Sequence, residues 1–206
     1  MRFKELFEMP TFINKELPVT DVKVHVASVD TLDREYDLLG SIPVRNKKII
    51  AALKKDKSSA VIGPAVLRDD GKPSIEVIVT LTFHEAPNLG EANSNKTLQV
   101  DTVTSTDEAR GFGYGYQLYK MILNHGYTLV SDNIQWKAGK ELWLKIICKS
   151  AADRHNVFIL QDGKYMRDAE GKVIVFDGVN ISPEDIWSEK RTSVKHYHTL
   201  LVAKNI

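Results

Sequence analysis

Three glycines at alternate positions, Gly111, Gly113 and Gly115, stand in "TSTDEARGFGYGYQLYKMIL" (104–123), between a β-branched run and a run with helical spacing. Inside a helix each glycine costs up to ~1 kcal/mol relative to alanine, so three at the mouth of one imply a use for the bare backbone. A strand–loop–helix joint leaves amide N–H groups free at the helix N-terminus. Those groups and the helix dipole favour a phosphate or pyrophosphate, and the missing Cβ atoms let its oxygens approach closely. Arg110 adds a positive charge beside the joint. The other groups able to do chemistry are scattered. Asp101 is the only carboxylate on the preceding strand, Ser131 and Asp132 close a later one, and His84-Glu85 opens a polar loop. For Ser131 and Asp132 helix capping is the competing role; for His84-Glu85 it is a plain loop pair.

The elements that must position these residues follow from periodicity and turn chemistry. "DVKVHVAS" (21–28) alternates as a strand does, and Ser28 or Asp30 can cap a helix running to Leu39 and ended by Gly40. A second helix is expected over 44–55. "SAVIGPAVLRD" and "SIEVIVTLTFH" flank "DDGKP", a hairpin signal. A polar loop fills 85–96, and "TLQVDTVTS" (97–105) is a strand. The glycine joint, a helix to Asn124 and a short strand at 127–132 come next. "WKAGKELWLKIICKSA" is amphipathic, with Leu142, Trp143, Ile146 and Ile147 at helical spacing. "NVFILQDGKYMRDAEGKVIVFDG" makes two strands, and the tail adds a short helix after Ser182 and a last strand at 199–203. The expected order is β-α-α-β-β-β-α-β-α-β-β, an α/β or α+β layered domain. It divides into an N-terminal extension (1–20), a main domain (21–177) and a C-terminal appendage of the same domain (178–206).

Composition narrows the function classes. Net charge is +1 over 206 residues, with 28 basic and 27 acidic side chains, so the broad basic footprint of a nucleic-acid binder is absent. The basic stretch "RNKKIIAALKKDK" (45–57) reads as a solvated helix face or as a local surface for an acidic partner. No apolar run is long enough to span a membrane. The N-terminus is no secretory signal, and the single cysteine, Cys148, forms no internal disulfide. A cytoplasmic protein is expected, with Cys148 packed in a helix. His196-Tyr197-His198 lacks a Cys or acidic cluster, so no metal site is expected. Trp136, Trp143 and Trp187 read as packing residues.

The glycine joint lacks the GK[ST] of a P-loop and the G-x-G-x-x-G of a Rossmann turn. Arg110-Gly111-Phe112-Gly113-Tyr114-Gly115 fits R-x-x-G-x-G, and this resembles the acyl-CoA signature [Q/R]-x-x-G-x-[G/A] of the GNAT superfamily of N-acetyltransferases. The resemblance covers roughly residues 20–177 and extends to the element order. It implies a mixed, mostly antiparallel central sheet with its fourth and fifth strands splayed and helices on both faces. It further implies acetyl-CoA as co-substrate. Pantetheine amides would pair with the fourth-strand backbone near Val103 and Ser105. The pyrophosphate would sit on the amides between Arg110 and Tyr116, a span that includes Gly111, Phe112, Gly113, Tyr114 and Gly115. Many members use a fourth-strand glutamate as base; here Asp101 is the only carboxylate there, and by alternation it shares a face with Val103 and Ser105. It is the candidate base or water-holder, an edge or substrate-orienting role being equally open. Ser131 is the other catalytic candidate. Where many members carry a leucine–tyrosine pair whose tyrosine acts as acid, this chain has Leu142-Trp143, and an indole donates no acidic proton. Asn133 stands near the family's asparagine but out of register with that pair.

The function expected is acyl transfer from acetyl-CoA to the amine of a small molecule or protein by direct attack, with a dimer as one option for assembly. Two other readings stay open. One is a non-catalytic CoA-binding or interaction module. The other is a phage or mobile-element modifier of nucleic acid or of a protein partner.

Overall fold

The computed structural model describes residues 11–13, 25–44, 47–67, 69, 71, 73–84, 89–132, 134–182, 186 and 199–206. They contain thirteen β-strands and three α-helices. The chain divides into two compact units, one of residues 1–18, 86–99 and 126–206, the other of 19–85 and 100–125.

The unit formed by 19–85 and 100–125 is a sheet with two helices. Its strands are β2 (His25–Ser28), β3 (Tyr36–Val44), β4 (Lys47–Lys54), β5 (Ser59–Leu67), β6 (Pro73–Val77), β7 (Val79–Phe83) and most of β8 (Thr97–Ser105). They pair antiparallel in the order β8-β7-β5-β4-β3, with β6 folded back on β5 and β2 on β6. Helix α1 (Val29–Glu35) precedes β3, and α2 (Tyr114–Asn124) lies against β5, β4, β3 and β7. Its buried side chains, Tyr116, Leu118, Tyr119, Met121, Ile122 and Leu123, form the apolar stripe that covers the sheet.

Here the expected α/β layering fails. The helix expected over 44–55 is the strand β4, hydrogen-bonded between β3 and β5. "KKIIAALK" has the composition of a helix and the length of a strand, an ambiguity that periodicity alone does not resolve. Pairing on both edges settles it and buries Ile49, Ala51, Ala52 and Leu53. The helix expected to reach Leu39 ends at Glu35. Gly40 does not stop a helix; it sits beside a β-bulge at Leu38/Gly40, with φ +124°, a conformation for which glycine is the natural residue. With one expected helix replaced by a strand and the other cut to the seven residues of α1, the described residues are mostly β, without the expected layers of helices on both faces of the sheet.

The other unit holds β9 (Thr128–Val130), β10 (Ile134–Trp136), α3 (Lys137–Asp153), β11 (His155–Gln161), β12 (Lys164–Tyr165) and β13 (Thr199–Asn205). The strand order is β12-β11-β13-β9, with residues 97–99 of β8 parallel to β9. β13 therefore lies between β11 and β9, although it comes last in the chain. The short β1 (Thr11–Ile13) pairs parallel with β10. Leu89, Ala92, Val130, Phe158, Leu160, Leu200 and Val202 pack into one apolar cluster. Glu91 pins the loop before β8 onto the β11–β12 hairpin, accepting from Tyr165 N at 3.1 Å and Arg167 Nη2 at 3.2 Å. No helix among the described residues is long and apolar enough to cross a membrane.

Candidate functional site

β8 spans 97–105, as its threonine-interrupted alternation suggests, and residues 100–105 pair with β7 on one side. Thr106 N donates to Ile78 O at 2.9 Å. Antiparallel ladders alternate bonded and non-bonded pairs, so, counting back, Thr104 and Thr102 turn their amides toward β7. Val103 and Ser105 turn theirs to the opposite edge. Among the described residues no strand pairs with that edge beyond Gln99, where the register with β9 stops. The two residues expected to pair with an extended ligand are therefore the two whose backbone groups face outward.

At the end of that edge the chain makes a 3-10 turn (Asp107–Ala109), then the glycine turn, then α2. Arg110 N and Phe112 N are used inside the turn, on Asp107 O and Ala109 O. Gly113 is the N-cap residue, with φ +80°, and no side chain caps the helix. The amides of Tyr114, Gly115 and Tyr116 lie in the first turn, where an α-helix offers no acceptor of its own; the expected span from Arg110 to Tyr116 narrows to its second half. Gly111 has φ +77°, and a Cβ built there meets nothing within 4 Å. Two of the three glycines thus answer to left-handed backbone. Gly115 lies in the first helical turn, half-buried. No acidic residue occupies that turn, so its dipole is free of a competing carboxylate. The Arg110 guanidinium leans back on Asp107, Nε to Oδ1 3.4 Å, both exposed. Phe112 is 57% exposed, its ring centroid 6.3 Å from that of Tyr114. Thr106, at the joint, is buried, and its hydroxyl has no hydrogen-bond partner among the described residues.

Two residues read separately from the sequence meet here. Asp101 is the extra residue of a β-bulge between β7 and β8, where Thr82 faces Thr102 and Phe83 faces Val100. Bulges re-aim side chains. Asp101 turns out to solvent between buried Val100 and half-buried Thr102. Its Oδ1 lies 3.7 Å from His84 Nε2, and its Oδ2 accepts from Thr82 Oγ1 at 3.1 Å and Thr102 Oγ1 at 3.4 Å. His84 and Asp101 are both near half exposure. Neither residue's neighbours in sequence signal this pairing; it is made by the register of β7 on β8.

Ser131 belongs to the other unit and is fully buried. Its Oγ accepts from Leu201 N at 3.0 Å, its N–H donates to Leu201 O at 2.8 Å, and its carbonyl accepts from Gln99 Nε2 at 3.3 Å. Those bonds extend the sheet past Val130. Trp143 is 1% exposed in α3, beside Ile146 and Ile147, a packing residue as expected. Cys148, expected to be packed, is exposed instead. The α3 stripe ends at Ile147, and the next position is turned off the buried face. Asn133, Glu85 and the His196-Tyr197-His198 stretch lie outside the described residues. Among the described residues no cluster of three metal-ligating side chains occurs.

No family model, no curated protein and no solved structure matches the chain.

Proposed function

We propose that the chain is an acyl-CoA-dependent N-acyltransferase that takes acetyl-CoA as co-substrate and passes the acyl group to an amine. One continuous backbone feature carries the reading: the outward-facing groups of Val103 and Ser105, running through the Arg110–Gly115 turn to the uncapped first turn of α2. Pantetheine is a chain of amides and can add to an open strand edge as a peptide does. A pyrophosphate at its far end would meet the first-turn amides of α2 and the positive end of a helix dipole. The R-x-x-G-x-G signature, similar to that of GNAT acyltransferases, places both features next to each other in the chain.

One observation favours a non-catalytic CoA-binding module. The residue in the place of the superfamily's acid is Trp143, buried in the core and unable to supply a proton. Titration calorimetry with acetyl-CoA and with free CoA is the first test. Micromolar binding is expected, and absence of binding to either would end both readings. CoA thiol release dependent on an added amine separates the enzyme from the binding module.

A further inference from the structure

Phe112 stands in the middle of the glycine turn with 57% of its surface exposed, the one aromatic among the strongly exposed large apolar side chains of the described residues. A lone exposed apolar side chain is ordinary; it is the place of Phe112 that singles it out. Gly111 and Gly113 flank it, both left-handed, with φ +77° and +80°, a backbone that glycine adopts without strain. A Cβ built on Gly111 meets nothing within 4 Å, so the turn is open next to Phe112. Tyr114 supplies a second ring, its centroid 6.3 Å away and its plane tilted by 38°. With that contact made, more than half of Phe112 is still in water. Phe112, the outward groups of Val103 and Ser105, and α2 all belong to one compact unit.

We propose that Phe112 is the platform on which the adenine of acetyl-CoA stacks, an assignment that rests on the acyl-CoA reading. Chain geometry sets the reach. Phe112 precedes Tyr114, the first residue of α2, by two positions, so their Cα atoms are at most about 7 Å apart. In CoA the base is one ribose away from the pyrophosphate. A pyrophosphate on the first-turn amides of α2 therefore holds the adenine within reach of the ring. Adenine is a flat, uncharged π surface, and an aromatic side chain binds it by its face with no hydrogen bond required. Stacking also removes apolar surface of the ring from water. The platform serves the nucleotide half of the ligand, whereas the strand edge at Val103 and Ser105 serves the pantetheine half.

Acetyl-CoA binding by the full chain is measured first, by calorimetry; no binding ends the acyl-CoA reading and this proposal with it. Where the wild type binds, acetyl-CoA is compared with S-acetyl-4′-phosphopantetheine, which keeps the thioester, the amides and one phosphate but has no adenine. Phe112→Ala and Phe112→Leu should each weaken acetyl-CoA binding by about 5- to 100-fold, the range for losing one base stack, and leave the affinity for the truncated thioester unchanged. Phe112→Trp keeps a ring and should bind acetyl-CoA at least as tightly as the wild type. Proton spectra of the bound ligand give a readout that a merely structural role does not move. The adenine ring protons should shift upfield on binding to the wild type, and the shift should vanish in Phe112→Leu. Equal acetyl-CoA affinity in the wild type and Phe112→Ala, an equal loss for both ligands, or adenine signals that do not move upfield would each overturn the proposal while the cofactor reading stands.

Discussion

Gly111 offers a way to separate a turn that needs glycine from a turn that holds a phosphate. Its φ is +77°, and an added Cβ would meet nothing within 4 Å. A side chain there therefore carries the strain of a left-handed backbone, about 1–2 kcal/mol, and no steric clash. Gly111→Ala and Gly111→Glu share that strain, so both should melt a few degrees below the wild type and close to each other. They differ in one charge. At a separation of ~6 Å and an effective dielectric of ~20, a carboxylate opposite one phosphate charge costs ~3 kcal/mol, and salt lowers this at an exposed turn. Acetyl-CoA affinity should thus be near the wild-type value in Gly111→Ala and ~10–100-fold weaker in Gly111→Glu, at ~1.4 kcal/mol per tenfold. Calorimetry at two salt concentrations reads both quantities, and the gap should narrow at the higher one. Equal affinity in the two variants would refute the phosphate assignment, because the only difference between them would then be invisible to the ligand. Gly113 is less suited to this comparison, since as the N-cap residue at φ +80° its substitution also disturbs the start of α2.

Gly90→Ala should destabilise the chain by ~2–4 kcal/mol: φ is +55°, and the new Cβ would collide with Gly163 O, the same oxygen that accepts from Glu91 N. An unchanged urea midpoint would mean the 90–92 turn simply lifts away. Ser131→Ala leaves the buried Leu201 N–H without its acceptor and should cost ~1–3 kcal/mol, read by urea denaturation; a loss of stability under about 0.5 kcal/mol would mean that water or a shifted strand takes over the bond. The Asp56 carboxyl is held down to about 2 from its usual 3.8, first by the Ser58 hydroxyl, then by the Ser58 N–H and by Lys54. Because the folded value is the lower one, its stabilisation is complete above 3.8 and is lost as the pH falls toward 2. Asp56→Asn should therefore show a shallower loss of stability across that acid window than the wild type, and parallel acid-unfolding curves would contradict the sign.

The parts of the molecule legible in the sequence are those written in local backbone chemistry. Strand β8 runs over 97–105 and α2 ends at Asn124, as their patterns indicate. The glycine joint lies between them, and α3 carries its apolar residues at helical spacing. The β5–β6 hairpin was visible from "DDGKP" because Gly and Pro fix turn dihedrals whatever surrounds them. By contrast "KKIIAALK" carries no local instruction strong enough to choose helix or strand. Its state depends on β3 and β5 arriving at both edges, and the mostly-β character of the chain turns on that event.

The candidate site divides along the same line. Sequence by itself determined that a glycine turn joins a strand to a helix at 106–114, and that Val103 and Ser105 lie two residues apart on that strand. Left-handed φ values and period-2 alternation are properties of neighbouring residues. Tertiary structure decided which strand edge stays open, that a bulge turns Asp101 toward His84, that Ser131 is committed to the ladder with β13, and that Cys148 faces outward. Each depends on the register between strands distant in the chain, and a shift of one residue reverses which face a side chain occupies. A sequence read in one dimension contains the alternation but not its phase against a partner, and the phase is what places the chemistry.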